Sequence, residues 1–132
     1  MDKQHNIVGW FEIPVTNMER AVKFYENLFN IKLTRSKVGD VDMAWFPYTS
    51  DGPGAGGSLV YHPDMYTPSK EGCLVYFSSQ SGDLSTELSR IKTAGGSVVM
   101  PKTEIGEDMG YMAVCIDSEG NRIALHSQKQ LV

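Results

Sequence analysis

Few side chains in this sequence could take part in chemistry. The imidazoles are His5, His62 and His126, and the thiols are Cys73 and Cys115. Neither cysteine belongs to a C-x-x-C pair, so the chain has no zinc-type thiolate set and no dense disulfide framework. Reduced thiols in a cytoplasm are expected. Cys73 falls on a predicted strand, where it would need a nearby base or a helix N-terminus to become a nucleophile. A mid-strand cysteine without either is packing. The stretch from Gly52 to Gly57, with Pro53, Gly54, Ala55 and Gly56 between, lacks the Lys-Ser/Thr pair of a phosphate-cradling loop and opens no helix, so it reads as a flexible turn or a pocket lid. Glu104, Glu107 and Asp108 read as a solvated acidic loop, while Met100, Met109 and Met112 nearby offer adaptable apolar surface. His5, in the amino-terminal tail, and His62, beside a linker, are expected to be exposed. Trp10, Trp45, Phe46, Tyr48, Tyr61, Phe77 and Tyr111 lie on or beside predicted strands and offer stacking surfaces for a planar or apolar ligand.

The elements that must position these groups belong to one domain. The 132 residues are 41% hydrophobic and 21% charged, enough for a core without disulfide or metal staples. A formal charge of −4 with no Lys/Arg cluster argues against nucleic acid as partner. The apolar run Ile7 to Val15 is short and broken by Glu12 and Pro14, so no signal peptide, membrane span or membrane partner is expected.

Along that run, Phe11, Ile13 and Val15 alternate with Trp10, Glu12 and Pro14, the pattern of a strand between two environments. Thr16 and Glu19 have capping-box spacing, and Met18, Ala21, Val22, Tyr25, Leu28 and Phe29 recur at helical intervals, so a helix is predicted from Asn17 to Phe29 with Asn30 as its left-handed stop. Strands follow over 31–38, 41–48 and 58–62. Residues 72–79 form a further predicted strand, Gly82-Asp83 opens a second helix bearing Leu84, Leu88, Ile91 and Ala94, and Gly95-Gly96 ends it. Strands over 97–100, 109–117 and 121–127 close the chain. Both halves therefore read β-α-β-β-β at an offset of about 65 residues, a duplicated module and an α+β class. Module one covers about 7–62, a linker 63–71 with Pro63 and Pro68, and module two 72–127.

This arrangement resembles the vicinal oxygen chelate superfamily of glyoxalase I, extradiol dioxygenases, fosfomycin-resistance and bleomycin-binding proteins. The resemblance rests on Phe11-Glu12-Ile13-Pro14-Val15, on Met18-Glu19-Arg20-Ala21-Val22-Lys23-Phe24-Tyr25, on Ala94-Gly95-Gly96, and on the Asp117-to-Asn121 turn before Arg122-Ile123-Ala124-Leu125. It implies two βαβββ modules curled into a mixed sheet around a cup, with helices on the far side. It also implies a metal site in some members, built from four His/Glu-type ligands on the first and last strands of the modules. Here those places fall on Trp10, on Gly57 or Ser58, on Cys73 and on Ala124, a set with one possible ligand.

The expectation is accordingly a metal-independent, cofactor-free member binding a small organic molecule in the cup, with Trp10, Trp45, Ser58, Cys73, Tyr111 and Ala124 lining it. Glu12 lies two residues past Trp10 and His126 two past Ala124, so both would point into the cup one layer away from the usual ligand plane. They form a candidate acid/base pair or the nucleus of a displaced metal site. The plainer readings are that Glu12 bonds Arg122 or a hydroxyl and that His126 is a solvated rim residue. Two alternatives stay open: a glyoxalase-like lyase or isomerase with Glu12 as base, assisted by His126 or a tyrosine, and a non-catalytic antibiotic-sequestering protein. The resemblance also implies a homodimer.

Overall fold

A computed structural model describes residues 6–106 and 108–128. His5 and Glu107 lie outside the described residues. The alternation at the start becomes β1 (Trp10–Pro14), with Ile13 and Val15 buried in the core and Trp10 and Glu12 exposed. The apolar face of α1 (Met18–Phe29) buries Met18, Ala21, Phe24, Tyr25, Leu28 and Phe29. Its cap is Asn17, whose side chain accepts the Arg20 N–H, and not Thr16 as the capping-box spacing predicts. The Thr16 amide and hydroxyl both donate to Glu119 instead, a carboxylate from the far end of the chain. Asn30 ends the helix at φ 57°, its amide returning to the Glu26 carbonyl.

Three strands complete the first module: β2 (Thr34–Val38), β3 (Val41–Trp45) and β4 (Gly56–Tyr61). They form a sheet in the order β1-β4-β3-β2, with β1 parallel to β4 and the other pairs antiparallel. The second module repeats the plan with β5 (Val75–Ser78), α2 (Leu84–Ala94), β6 (Ser97–Gly106), β7 (Gly110–Ile116) and β8 (Arg122–Ser127), in the order β5-β8-β7-β6. The fold is α+β, two mixed four-stranded sheets that do not close on one another. Among the described residues no helix is long and apolar enough to cross a membrane.

Most strands depart from their predicted bounds, β2 starting and β3 ending three residues inside them, and two of the departures have a local cause. β5 begins at Val75 and not at Gly72, which has φ 91° and breaks the extended run. β6 continues to Gly106, so Glu104 belongs to a strand and not to a solvated loop, while Asp108 sits in the following turn at φ 66°. Register shifts interrupt the β6–β7 ladder between Val98 and Met100, Met100 and Thr103, and Glu104 and Gly106. Such bulges erase the period-two signal from the sequence.

No ladder joins β1 to β5; both are edge strands. The modules are held together by one core that draws on both, including Ile13, Tyr25, Leu28, Leu59, Ile91, Cys115, Ile123 and Leu125. The Phe77 ring of module two lies 5.8 Å from Phe11 and 5.6 Å from Tyr25 of module one. The linker is stitched in as well: Tyr66 donates to Glu12, Ser69 N–H to Asn121 Oδ1, and Arg122 N–H to the Ser69 carbonyl.

Candidate functional site

The duplication lets each position in one module be located in the other. The Val15 amide donates to the Val60 carbonyl, and the Ser79 amide to the His126 carbonyl. The first strands are therefore offset by 64 residues and the last strands by 66. On this register Glu12 corresponds to Tyr76 and Ser58 to Ala124; Glu12 pairs with Ser58 and Tyr76 with Ala124. Trp10 corresponds to Leu74. Cys73, the position counted from Gly72, falls one residue short, because alternation turns it to the same side as the half-buried Val75 and Phe77.

Alternation also sorts the candidates by face. On the face away from the helices, Trp10 and Trp45 meet edge to face with ring centroids 4.9 Å apart. Gly56 lies beneath them because a Cβ there would stand 2.6 Å from the Tyr48 ring and 3.2 Å from Trp10. Ser58 is fully buried on this face, and its Oγ has no protein partner. Trp10, Trp45 and Tyr76 remain 38%, 41% and 50% exposed, so this face keeps an aromatic surface open to solution. Ala124 is buried between Tyr76 and Val114. Tyr111 is not on this face. It pairs with Ser127 and Glu104 on the helix side, packs against the core, and carries the Lys102 ammonium 4.6 Å over its ring.

Glu12 and His126 take separate partners. The Glu12 carboxylate accepts the Tyr66 hydroxyl at 2.8 Å and lines a cavity of about 210 Å³ with Cys73, Arg122 and Asn121. That bond lifts the Tyr66 hydroxyl above the ordinary phenol range. His126, on β8, contacts the Met109 carbonyl at 2.8 Å and does not line that cavity. Tyr66 carries no signal in the sequence, since a linker residue has no periodicity to place it. Cys115 is buried, which pushes its thiol up to about 11. His62 is half-buried at the start of the linker, its ring Nδ1 accepting the Asp64 N–H.

The model of the Glyoxalase/Bleomycin resistance protein/Dioxygenase superfamily matches residues 7–125. The chain belongs to this superfamily. Among solved structures it is similar to glyoxalase I from Zea mays, with 18% identity and a TM-score of 0.65 over 89% of this chain. It spans only 44% of that enzyme. A glyoxalase/bleomycin resistance protein from Albidiferax ferrireducens shares 17% identity at a TM-score of 0.63, covering 94% of this chain and 100% of the other. An antibiotic binding protein from a Streptomyces species shares 22% identity at 0.61, covering 98% and 99%. These likenesses establish the fold alone. No curated protein matches the chain.

On this register the superfamily's metal positions lie on the first and last strands of each module. They carry Trp10, Ser58, Leu74 and Ala124, of which only the serine hydroxyl has a lone pair to offer, and weakly. A divalent ion needs several converging nitrogen, oxygen or thiolate ligands. These residues do not fit one. Among the described residues, no three His, Cys, Asp or Glu side chains cluster as a metal site would require.

Proposed function

We propose that this superfamily member is a metal-independent binder of a small organic molecule, held on the aromatic face that carries Trp10, Trp45, Tyr76 and the buried Ser58 hydroxyl. The observation that carries the reading is the replacement of a ligand set by an indole, a hydroxyl and two aliphatic side chains. Such a surface stacks planar apolar groups, with the unpartnered Ser58 hydroxyl buried beneath it. The Streptomyces antibiotic binding protein, similar along its whole length, is a small-molecule binder built on the same fold. The reading includes a homodimer, in which the exposed aromatic faces of two chains cover one another around the ligand, and a cytoplasmic setting that keeps Cys73 reduced.

The test uses chelator-treated protein titrated with zinc, nickel and manganese, and separately with planar aromatic metabolites. Substoichiometric metal is expected, together with quenching of Trp10 and Trp45 fluorescence by an aromatic compound. A ligand at a hundredfold its dissociation constant would add about 2.7 kcal/mol of stability. Stoichiometric metal on the wild-type chain overturns the reading. Light scattering should return twice the chain mass.

A second reading, acid–base chemistry by Glu12, draws on its carboxylate lining a cavity with Tyr66 as hydrogen-bond partner. It expects lactoylglutathione formation in the presence of chelator, abolished in Glu12→Gln and retained in His126→Ala. No turnover in the wild type removes it.

A further inference from the structure

Each end of the seam between β1 and β5 holds a cavity, and the module offset maps one onto the other. The cavity of about 210 Å³ is bordered by Ile13, Pro14, Val75 and Asn121. Its counterpart of about 490 Å³ is bordered by Phe77, Ser78, Phe11 and Ala55. Beside the smaller one the chain clasps itself. Asn121 Nδ2 donates to the Pro14 carbonyl while its Oδ1 accepts Ser69 N–H, and Glu119 beside it clasps Thr16, Asn17 and Arg20. At the larger end Ala55 stands where Asn121 does and Pro53 where Glu119 does, so neither clasp can form. The connection there runs over residues 46–55, twice the length of 117–121 in the other module.

We infer that this larger cavity, which meets the aromatic face of the proposed function at Tyr48 and Tyr76, is a second binding site for an uncharged planar aromatic molecule of one or two fused rings. Phe11, Phe29, Phe46 and Phe77 supply its walls. Their centroids are 5.1 to 5.8 Å apart in the Phe29–Phe77, Phe46–Phe77, Phe11–Phe46 and Phe11–Phe77 pairs, with interplanar angles from 36° to 85°. Rings so inclined present both faces and edges, the two contacts an inserted aromatic ring makes best. Among the described residues no Asp, Glu, Lys or Arg borders the cavity, so an ion would lose its hydration without a countercharge. Ser78, Gln80 and Thr49 stand among its borders to bond a hydroxyl or carbonyl substituent. The volume lies within the range of small-molecule pockets.

The experiment is NMR titration of the wild-type chain with 2-naphthol, with Ala55→Trp as the blocked variant. Intermolecular NOEs from naphthol to the rings of Phe11, Phe46 and Phe77 are expected, and Ala55→Trp should weaken binding at least tenfold while keeping the wild-type circular dichroism. Absence of those NOEs overturns the proposal whether or not the variant folds. So do NOEs confined to the Trp10 and Trp45 indoles, which would place the probe on the other face and leave the proposed function intact.

Discussion

The hydroxyl of Tyr25 is buried at the centre of the molecule and donates to Asp117 of the other module. Burial and the nearby Asp117 carboxylate raise its pKa well above the phenol range, so it stays protonated and keeps donating. Tyr25→Phe retains the ring but leaves a buried carboxylate short of one donor, which should cost about 1 to 3 kcal/mol in denaturant unfolding. The ring was legible as part of a helical apolar face; the hydroxyl's role was not, because its partner lies 92 residues away. The two thiols part in the same way. Cys73 is exposed and Cys115 buried, so a chromogenic disulfide reagent near pH 8 should titrate one thiol in the native chain and two after denaturation. A count of two in the native state would contradict the placement of Cys115.

The start of α1 owes its anchoring to Glu119, whose Oε1 accepts the Thr16 and Asn17 amides while Oε2 accepts Arg20 Nε at 2.6 Å. Burial alone would raise this carboxyl, yet Arg20 and the two amides outweigh it and hold it at about 2. The folded state thus binds this proton more weakly than the unfolded one. Its contribution is full above about pH 4.5 and is lost as pH falls toward 2. After solvent screening that contribution is about 1 to 2 kcal/mol. Glu119→Gln should therefore flatten the stability profile over this interval and lower stability at neutral pH. A wild-type slope surviving in the variant would assign the acid limb to other groups. A tighter constraint sits at Gly57, where a Cβ would meet the Phe11 ring at 2.4 Å. Gly57→Ala should lower the unfolding midpoint by an overpacking cost of about 1 to 3 kcal/mol. The helices were readable to within a residue because Asn30 and Gly95 stop them and their apolar faces are strong. β6 was not, since its bulges and Pro101 break alternation, and the cap of α1 was missed because a distant carboxylate took Thr16.

At the scale of the whole molecule, the repeat was visible as two β-α-β-β-β runs, but the joint between them was not, being made of tertiary contacts without a sequence period. Nor did the sequence show that Leu74, and not Cys73, is the counterpart of Trp10, which the strand pairing within each module fixes, or that the linker brings Tyr66 to Glu12. Both modules feed one core, so the chain should melt in a single transition, with calorimetric and van't Hoff enthalpies equal. Two separable transitions would mean that the modules hold themselves up independently. β1 and β5 are edge strands of separate sheets, and no ladder joins them. Allegiance between the halves is therefore written through side chains and not in a strand ladder, and such allegiance is transferable: half of one molecule can be accepted by half of another without breaking a sheet. A polypeptide encoding a lone repeat would meet its oily helix side with a twin, and the covalent tether over 62–74 turns that encounter between strangers into a local one.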